Sequence, residues 1–186
     1  MGYQEKKDLV LREIKQSMDM INAEEVEKMV HMICAADQVF VVGVGRVLLM
    51  MKAFVKRLNH LGISANYVGA VNEPAITERD VLIAGSGSGE SVVPLEIMKI
   101  AKCYQAKIIH IGSNQHSSMR PYEDLFVRIP CSTKLHQEDE IESEQIMSSL
   151  FEQSLLLLGD AAAMMIAEEK EIKDIHALWK MHANLE

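Results

Sequence analysis

Cysteine, aromatic residues and basic charge are all scarce in this sequence. Its 186 residues include three cysteines, Cys34, Cys103 and Cys131, whose scattered placement and odd number fit neither a disulfide framework nor a zinc site. They read as reduced thiols of a cytoplasmic protein. Tyr, Phe and Trp total 5 %, which weakens any reading as a nucleotide binder that stacks its ligand in an aromatic-rich loop. The formal net charge of −8 argues against a nucleic-acid partner, because phosphate backbones reward a basic surface. No uninterrupted apolar run reaches the roughly 18–20 residues of a membrane span. The first ten residues, MGYQEKKDLV, have no signal-peptide hydrophobic region. Neither a membrane nor a nucleic acid is expected as a partner, and an anionic ligand would need local positive potential.

Apolar residues are plentiful, at 48 % of the chain, enough for a substantial core. Their order along the chain sets the expected fold. Residues 4–35 read as two helices, with Asn22 as N-cap and Glu25 completing a capping box. Five short buried-type strands follow, at 38–43, 63–68, 80–85, 106–112 and 125–130, most of them separated by helical patterns. They lack the polar alternation of a half-exposed sheet, which argues for a parallel sheet covered on both faces. A long apolar helix is expected from about Glu144 to Ala167, and a last helix near the C-terminus. With no repeat and no linker, the chain reads as one domain over 1–186: N-terminal helices 4–35, a sheet core 38–130, and C-terminal helices 144–182.

One junction is unusual. Residues 85–91, GSGSGES, carry three hydroxyls, three glycines and a carboxylate between a buried strand and a helical pattern. In open α/β sheets, ligands bind at the carboxyl ends of strands. A helix N-terminus offers unpaired N–H groups, glycines allow close approach of backbone, and serines add donors. These are the ingredients of a phosphate site. The P-loop lysine is missing, and neither GVGRVL at 43–48 nor GSGSGE completes a dinucleotide fingerprint. The plainer alternative is a flexible turn with Ser88 or Ser91 as a simple N-cap.

Glu152 stands out as well. It is the only charged residue between Glu144 and Asp160, with Ser148, Ser149, Leu155 and Leu156 at helical spacing. A carboxylate isolated in such a segment is partly desolvated, the setting in which general bases are found. The alternative is a buried glutamate paired with Arg46. The 13 methionines, among them Met147, Met164 and Met165, read as core or subunit packing. A helix over 146–166 that is apolar around its circumference is expected to be covered on all sides, which supports assembly.

Taken together, VVGVGR (41–46), AFVKRLNHLG (53–62), YVGA with EP (67–74), GSGSGES, MSSLFEQSLLLL (147–158) and HANLE (182–186) resemble the sugar isomerase (SIS) domain family. The best match is its 6-phospho-3-hexuloisomerase branch. The resemblance implies a three-layer α-β-α sandwich, with a five-stranded parallel sheet in flavodoxin-like order. It implies interconversion of D-arabino-hex-3-ulose 6-phosphate and fructose 6-phosphate through an enediolate, with no cofactor and no metal. It implies a homotetramer, or a dimer, with sites at subunit contacts. Glu152 matches the family's catalytic glutamate and His182 its C-terminal histidine, which reaches an active site, a neighbour's by expectation. Ser86, Ser88 and Ser91 match the phosphate-binding hydroxyls, with Gly87 and Gly89 permitting close approach. Gly45 and Arg46 belong to the first loop, and Glu90 braces the second. Two departures bear on the substrate: Val47 and Leu48 stand where the family carries serine and glycine. A related isomerase of different substrate, or a non-catalytic sugar-phosphate binder, are the alternative readings.

Overall fold

Val39–Val42 contribute β-branched or aromatic side chains at every position, and all four are buried, the signature of a strand covered on both faces. In a computed structural model that describes residues 2–135 and 138–182, this segment is β1, an inner strand of one five-stranded sheet. The other strands are β2 (Ala65–Tyr67), β3 (Val81–Gly85), β4 (Lys107–Gly112) and β5 (Leu125–Arg128). Their order is β2-β1-β3-β4-β5, and every pairing is parallel. The three-layer, flavodoxin-like architecture expected from the sequence is the one found.

The helices are α1 (Tyr3–Asp19), α2 (Ala23–Ala35), α3 (Gly45–His60), α4 (Val92–Cys103) and α5 (Ser149–Glu169). One face of the sheet packs on α2, α3 and α5 through Ile33, Met51, Leu58, Leu155 and Ile166. The other face packs on α4 through Phe40, Leu82, Met98 and Ile108. Gly159 of α5 lets α3 come close: a β-carbon there would lie 3.2 Å from the Phe54 ring. By length and composition α5 is apolar enough to cross a membrane, yet it carries Glu152 and Asp160 and much of it is buried in this core.

Three local expectations need correction. Asn22 caps α2 by accepting from Glu24 N–H at 2.9 Å, but Glu25 makes no capping box. Its carboxylate instead accepts from Arg128 N–H, tying α2 to the end of β5. The long helix begins at Ser149, not Glu144. Buried Glu13 of α1 accepts from Ser143 Oγ, Glu144 N–H and Gln145 Nε2, holding 143–145 outside the helix, and Met147 has φ of 54°. The last segment is a 3-10 helix, Ile175–Met181, and of the terminal HANLE only His182 lies within the described residues.

Candidate active site

Strand order reverses between β1 and β3, so the chain leaves their carboxyl ends in opposite directions and opens a crevice there. The turn into α3 and the turn into α4 form two of its walls. The N-terminal end of α5 forms a third, and the loop after β5 a fourth. Together they enclose a cavity of about 480 Å³. Gly45, Arg46, Ser86, Gly87, Ser88, Ser91 and Glu152 all line it. Gly89 lies just behind, at the bend of the second turn.

GSGSGES is held from its carbonyl side. Ser86 C=O accepts from Gly89 N–H at 3.2 Å and faces His110 Nε2 at 3.2 Å. Gly87 C=O accepts from the Ser113 and Asn114 N–H groups, and Ser88 C=O accepts from Asn114 Nδ2. In a trans peptide the N–H points opposite the preceding C=O. The N–H groups of Gly87 and Ser88 are thereby turned away from β4 and its loop, and among the described residues neither has a protein acceptor. Amides left open in this way beside a helix N-terminus suit an anion. Gly89 has φ of +64°, and a β-carbon there would sit 2.3 Å from Ser117 Oγ, so only glycine fits the bend. Glu90 accepts from Ser118 N–H at 2.8 Å, which braces the turn against the loop after β4.

The serines divide their work. Ser86 is buried; its hydroxyl accepts from Gly89 N–H and donates to Ser91 Oγ. Ser88 Oγ accepts from Glu90 N–H. Ser91 occupies the N-cap position of α4 but makes no capping bond, so the first-turn amides of α4 are not taken up by its hydroxyl. Pro94 in that turn has no N–H and costs no bond.

Glu152, 6 % exposed, opens onto the same cavity. Its Oε1 accepts from Ser148 Oγ at 2.9 Å, and its Oε2 accepts from Arg46 Nε. Pairing with Arg46 and lining the cavity thus occur together. Arg46 is more than half exposed and adds a cation at the mouth.

His182 is elsewhere. Its ring lies 5.4 Å from that of His60 and 5.5 Å from that of Trp179, in a second cavity of about 430 Å³. His60 ends α3 and Arg46 stands in its first turn, so the two sites are about 20 Å apart at 1.5 Å per residue. Burial, with Lys56, Arg57 and His182 nearby, holds the His60 imidazole below its ordinary value.

Sequence reasoning missed part of the wall. Ser132, Thr133 and Lys134, from the polar loop after β5, line the cavity with Met147 and Phe151. Their signal was position alone: every loop at a carboxyl strand end belongs to this edge of the sheet. The Thr133 hydroxyl donates to Glu140 at 2.8 Å. Lys134 makes no ion pair among the described residues. Val47, the residue in place of serine, lines the cavity and packs over Gly43 and Gly85; a β-carbon on Gly85 would lie 3.0 Å from Val47 Cγ1. Leu48 does not line it.

No family model matches the chain. Among curated proteins it is 36 % identical over 177 residues to 3-hexulose-6-phosphate isomerase of Bacillus subtilis, covering 95 % of each. It is 32 % identical over 178 residues to the protein of that name from Mycobacterium gastri, covering 96 % of this chain and 88 % of that one. Among solved structures, a Methanococcus jannaschii protein with inferred 3-hexulose-6-phosphate isomerase function superposes with a TM-score of 0.82. Its identity is 27 %, covering 98 % of this chain and 99 % of that one.

Proposed function

The chain belongs to the 3-hexulose-6-phosphate isomerase family, and from that premise we propose that this phosphosugar isomerase interconverts D-arabino-hex-3-ulose 6-phosphate and fructose 6-phosphate. One observation carries the reading: a single cavity joins the amide-rich 85–91 turn to the desolvated carboxylate of Glu152. Moving the carbonyl from C3 to C2 needs a grip on the phosphate, a base for the C2 proton, and a partner for the developing enediolate.

The phosphate sits against the Gly87 and Ser88 amides, the Ser86, Ser88 and Ser91 hydroxyls and the N-terminus of α4, with Gly89 allowing the close bend. Glu152 removes the C2 proton and returns a proton to C3. Ser148 and Arg46 hold the carboxylate in place, and Arg46, following Gly45, balances charge as the enediolate forms. His182 shuttles a proton or polarises the ketone. About 20 Å separates it from its own chain's cavity along α3, which favours delivery by a second copy. The protein is accordingly read as a homotetramer, or a dimer, with sites at subunit contacts. Its unpaired thiols fit a reducing, cytoplasmic setting.

The test is a coupled assay for fructose 6-phosphate formed from the 3-ketose, run beside a panel of other sugar phosphates. Turnover of the 3-ketose above all others supports the proposal. Preference for another phosphosugar would assign the Val47 wall a different substrate, and no turnover of any would leave only a binding protein.

A further inference from the structure

His110 has no place in the chemistry above, yet it is fully buried on β4 directly beneath the 85–91 turn. Nε2 faces Ser86 C=O at 3.2 Å, and Nδ1 faces Glu123 Oε2 at 2.9 Å. The Glu123 side chain is itself buried, with its second oxygen paired to Arg120. The ring rests on Phe126, 5.0 Å between centroids. Gly112 makes the space: a β-carbon there would lie 2.6 Å from His110 Nε2 and 2.7 Å from Ser86 O. Ring, carbonyl and strand are thus packed with no slack.

We propose that His110 is a positioning residue for the phosphate grip, its Nε2–H clamping the Ser86 carbonyl while Glu123 holds Nδ1. Ser86 C=O can only accept, so the clamp requires the proton on Nε2. Clamping that carbonyl fixes the Ser86–Gly87 peptide and aims Gly87 N–H into the cavity. Glu123 competes with the Ser86 carbonyl for the ring proton. A neutral ring has one proton for two nitrogens, and both nitrogens face oxygens. The pair therefore needs a second proton, lying between Nδ1 and Glu123. With that proton present Nε2–H is retained; without it Nδ1 takes the only proton and Nε2 turns a lone pair on the carbonyl. Burial, with Arg120 nearby, pushes the imidazole down to about 4 and the Ser86 carbonyl opposes it, so a full imidazolium is disfavoured at neutral pH and the second proton is shared with Glu123 rather than held by the ring alone.

The inference rests on the 85–91 turn being the phosphate site, and its test separates the two. Fructose 6-phosphate affinity and steady-state constants are measured for wild type, His110→Phe, Glu123→Ala and Glu123→Gln. His110→Phe is expected to raise Kd and KM roughly threefold to tenfold, the loss of one oriented hydrogen bond, with kcat changed less than twofold; Glu123→Ala leaves the Ser86 carbonyl as the one acceptor facing the ring proton and is expected to stay within twofold of wild type. Glu123→Gln is expected to stay within twofold of wild type, because its amide N–H donates to Nδ1 and leaves the Nε2 proton in place. Wild-type affinity in His110→Phe would overturn the proposal, as would equal weakening in Glu123→Gln and Glu123→Ala. Should His110→Phe fail to fold, nitrogen NMR of the wild-type imidazole decides alone: a protonated Nε2 supports the clamp, and a bare Nε2 overturns it. If fructose 6-phosphate does not bind wild type at all, the phosphate-site reading fails, while the NMR result still judges the clamp.

Discussion

At the scale of single residues, Glu152 and Ser88 bear the sharpest expectations. Glu152 is buried, yet it opens on the cavity with both oxygens already bonded, to Ser148 and Arg46. A glutamine there keeps shape and loses proton affinity. Glu152→Gln is expected to lower kcat by about 10²–10⁴, the usual scale of a general base, and to leave KM nearly unchanged; equal activity would remove Glu152 from the mechanism. Ser88→Ala is expected to weaken binding of fructose 6-phosphate several-fold while leaving unphosphorylated fructose unaffected, measured by calorimetry. Both residues were legible in the sequence, Glu152 by its isolation in an apolar segment and Ser88 by its setting among glycines. Lys134 was not legible: nothing in STKL marks it, and only the path of the loop after β5 brings it to the cavity. His110 was silent for the same reason, since a histidine between isoleucines reads as core until its two partners are seen.

Between elements, the contact of α1 with the entry to α5 gives a pH prediction. Burial pushes the Glu13 carboxyl up, but hydrogen bonds from Ser143, Glu144 N–H and Gln145 outweigh it and hold the group below its ordinary 4.5. A carboxyl lowered in the folded state adds stability above its unfolded value, and that stability is lost as pH falls through the folded value. Urea midpoints are therefore expected to drop on acidification below about 4.5. Glu13→Gln should flatten that drop and cost about 1–3 kcal/mol at neutral pH, through imperfectly satisfied donors. The same contact explains the misplaced helix start: residues 144–148 suit a helix locally, and a distant carboxylate overrides them. Gly89→Ala tests the bend before α4. Its φ of +64° and the 2.3 Å approach to Ser117 leave no room for a methyl, so sugar-phosphate binding should be lost even where the fold survives, as circular dichroism would show.

For the whole molecule, the apolar side chains left on its surface bear on assembly. Leu49 of α3 and Leu157 and Met164 of α5 remain exposed in a single chain, on the two helices that frame the cavity. Leu157→Glu is expected to shift the sedimenting species toward monomer; unchanged sedimentation would move the interface elsewhere. If His182 reaches a neighbour's cavity, Glu152→Gln and His182→Ala are each inactive alone, and mixing them after dissociation restores part of the activity. No recovery on mixing would return His182 to a role in its own chain. The parallel sheet, its helix cover and the glycine-serine turn followed from the sequence by itself, because burial periodicity and backbone permissiveness are local properties written in consecutive residues. Which side chains meet at one cavity, which carbonyls are clamped so that amides face outward, and how far His182 lies from Glu152 depend on contacts between residues far apart in the chain, and those only packing in three dimensions decides.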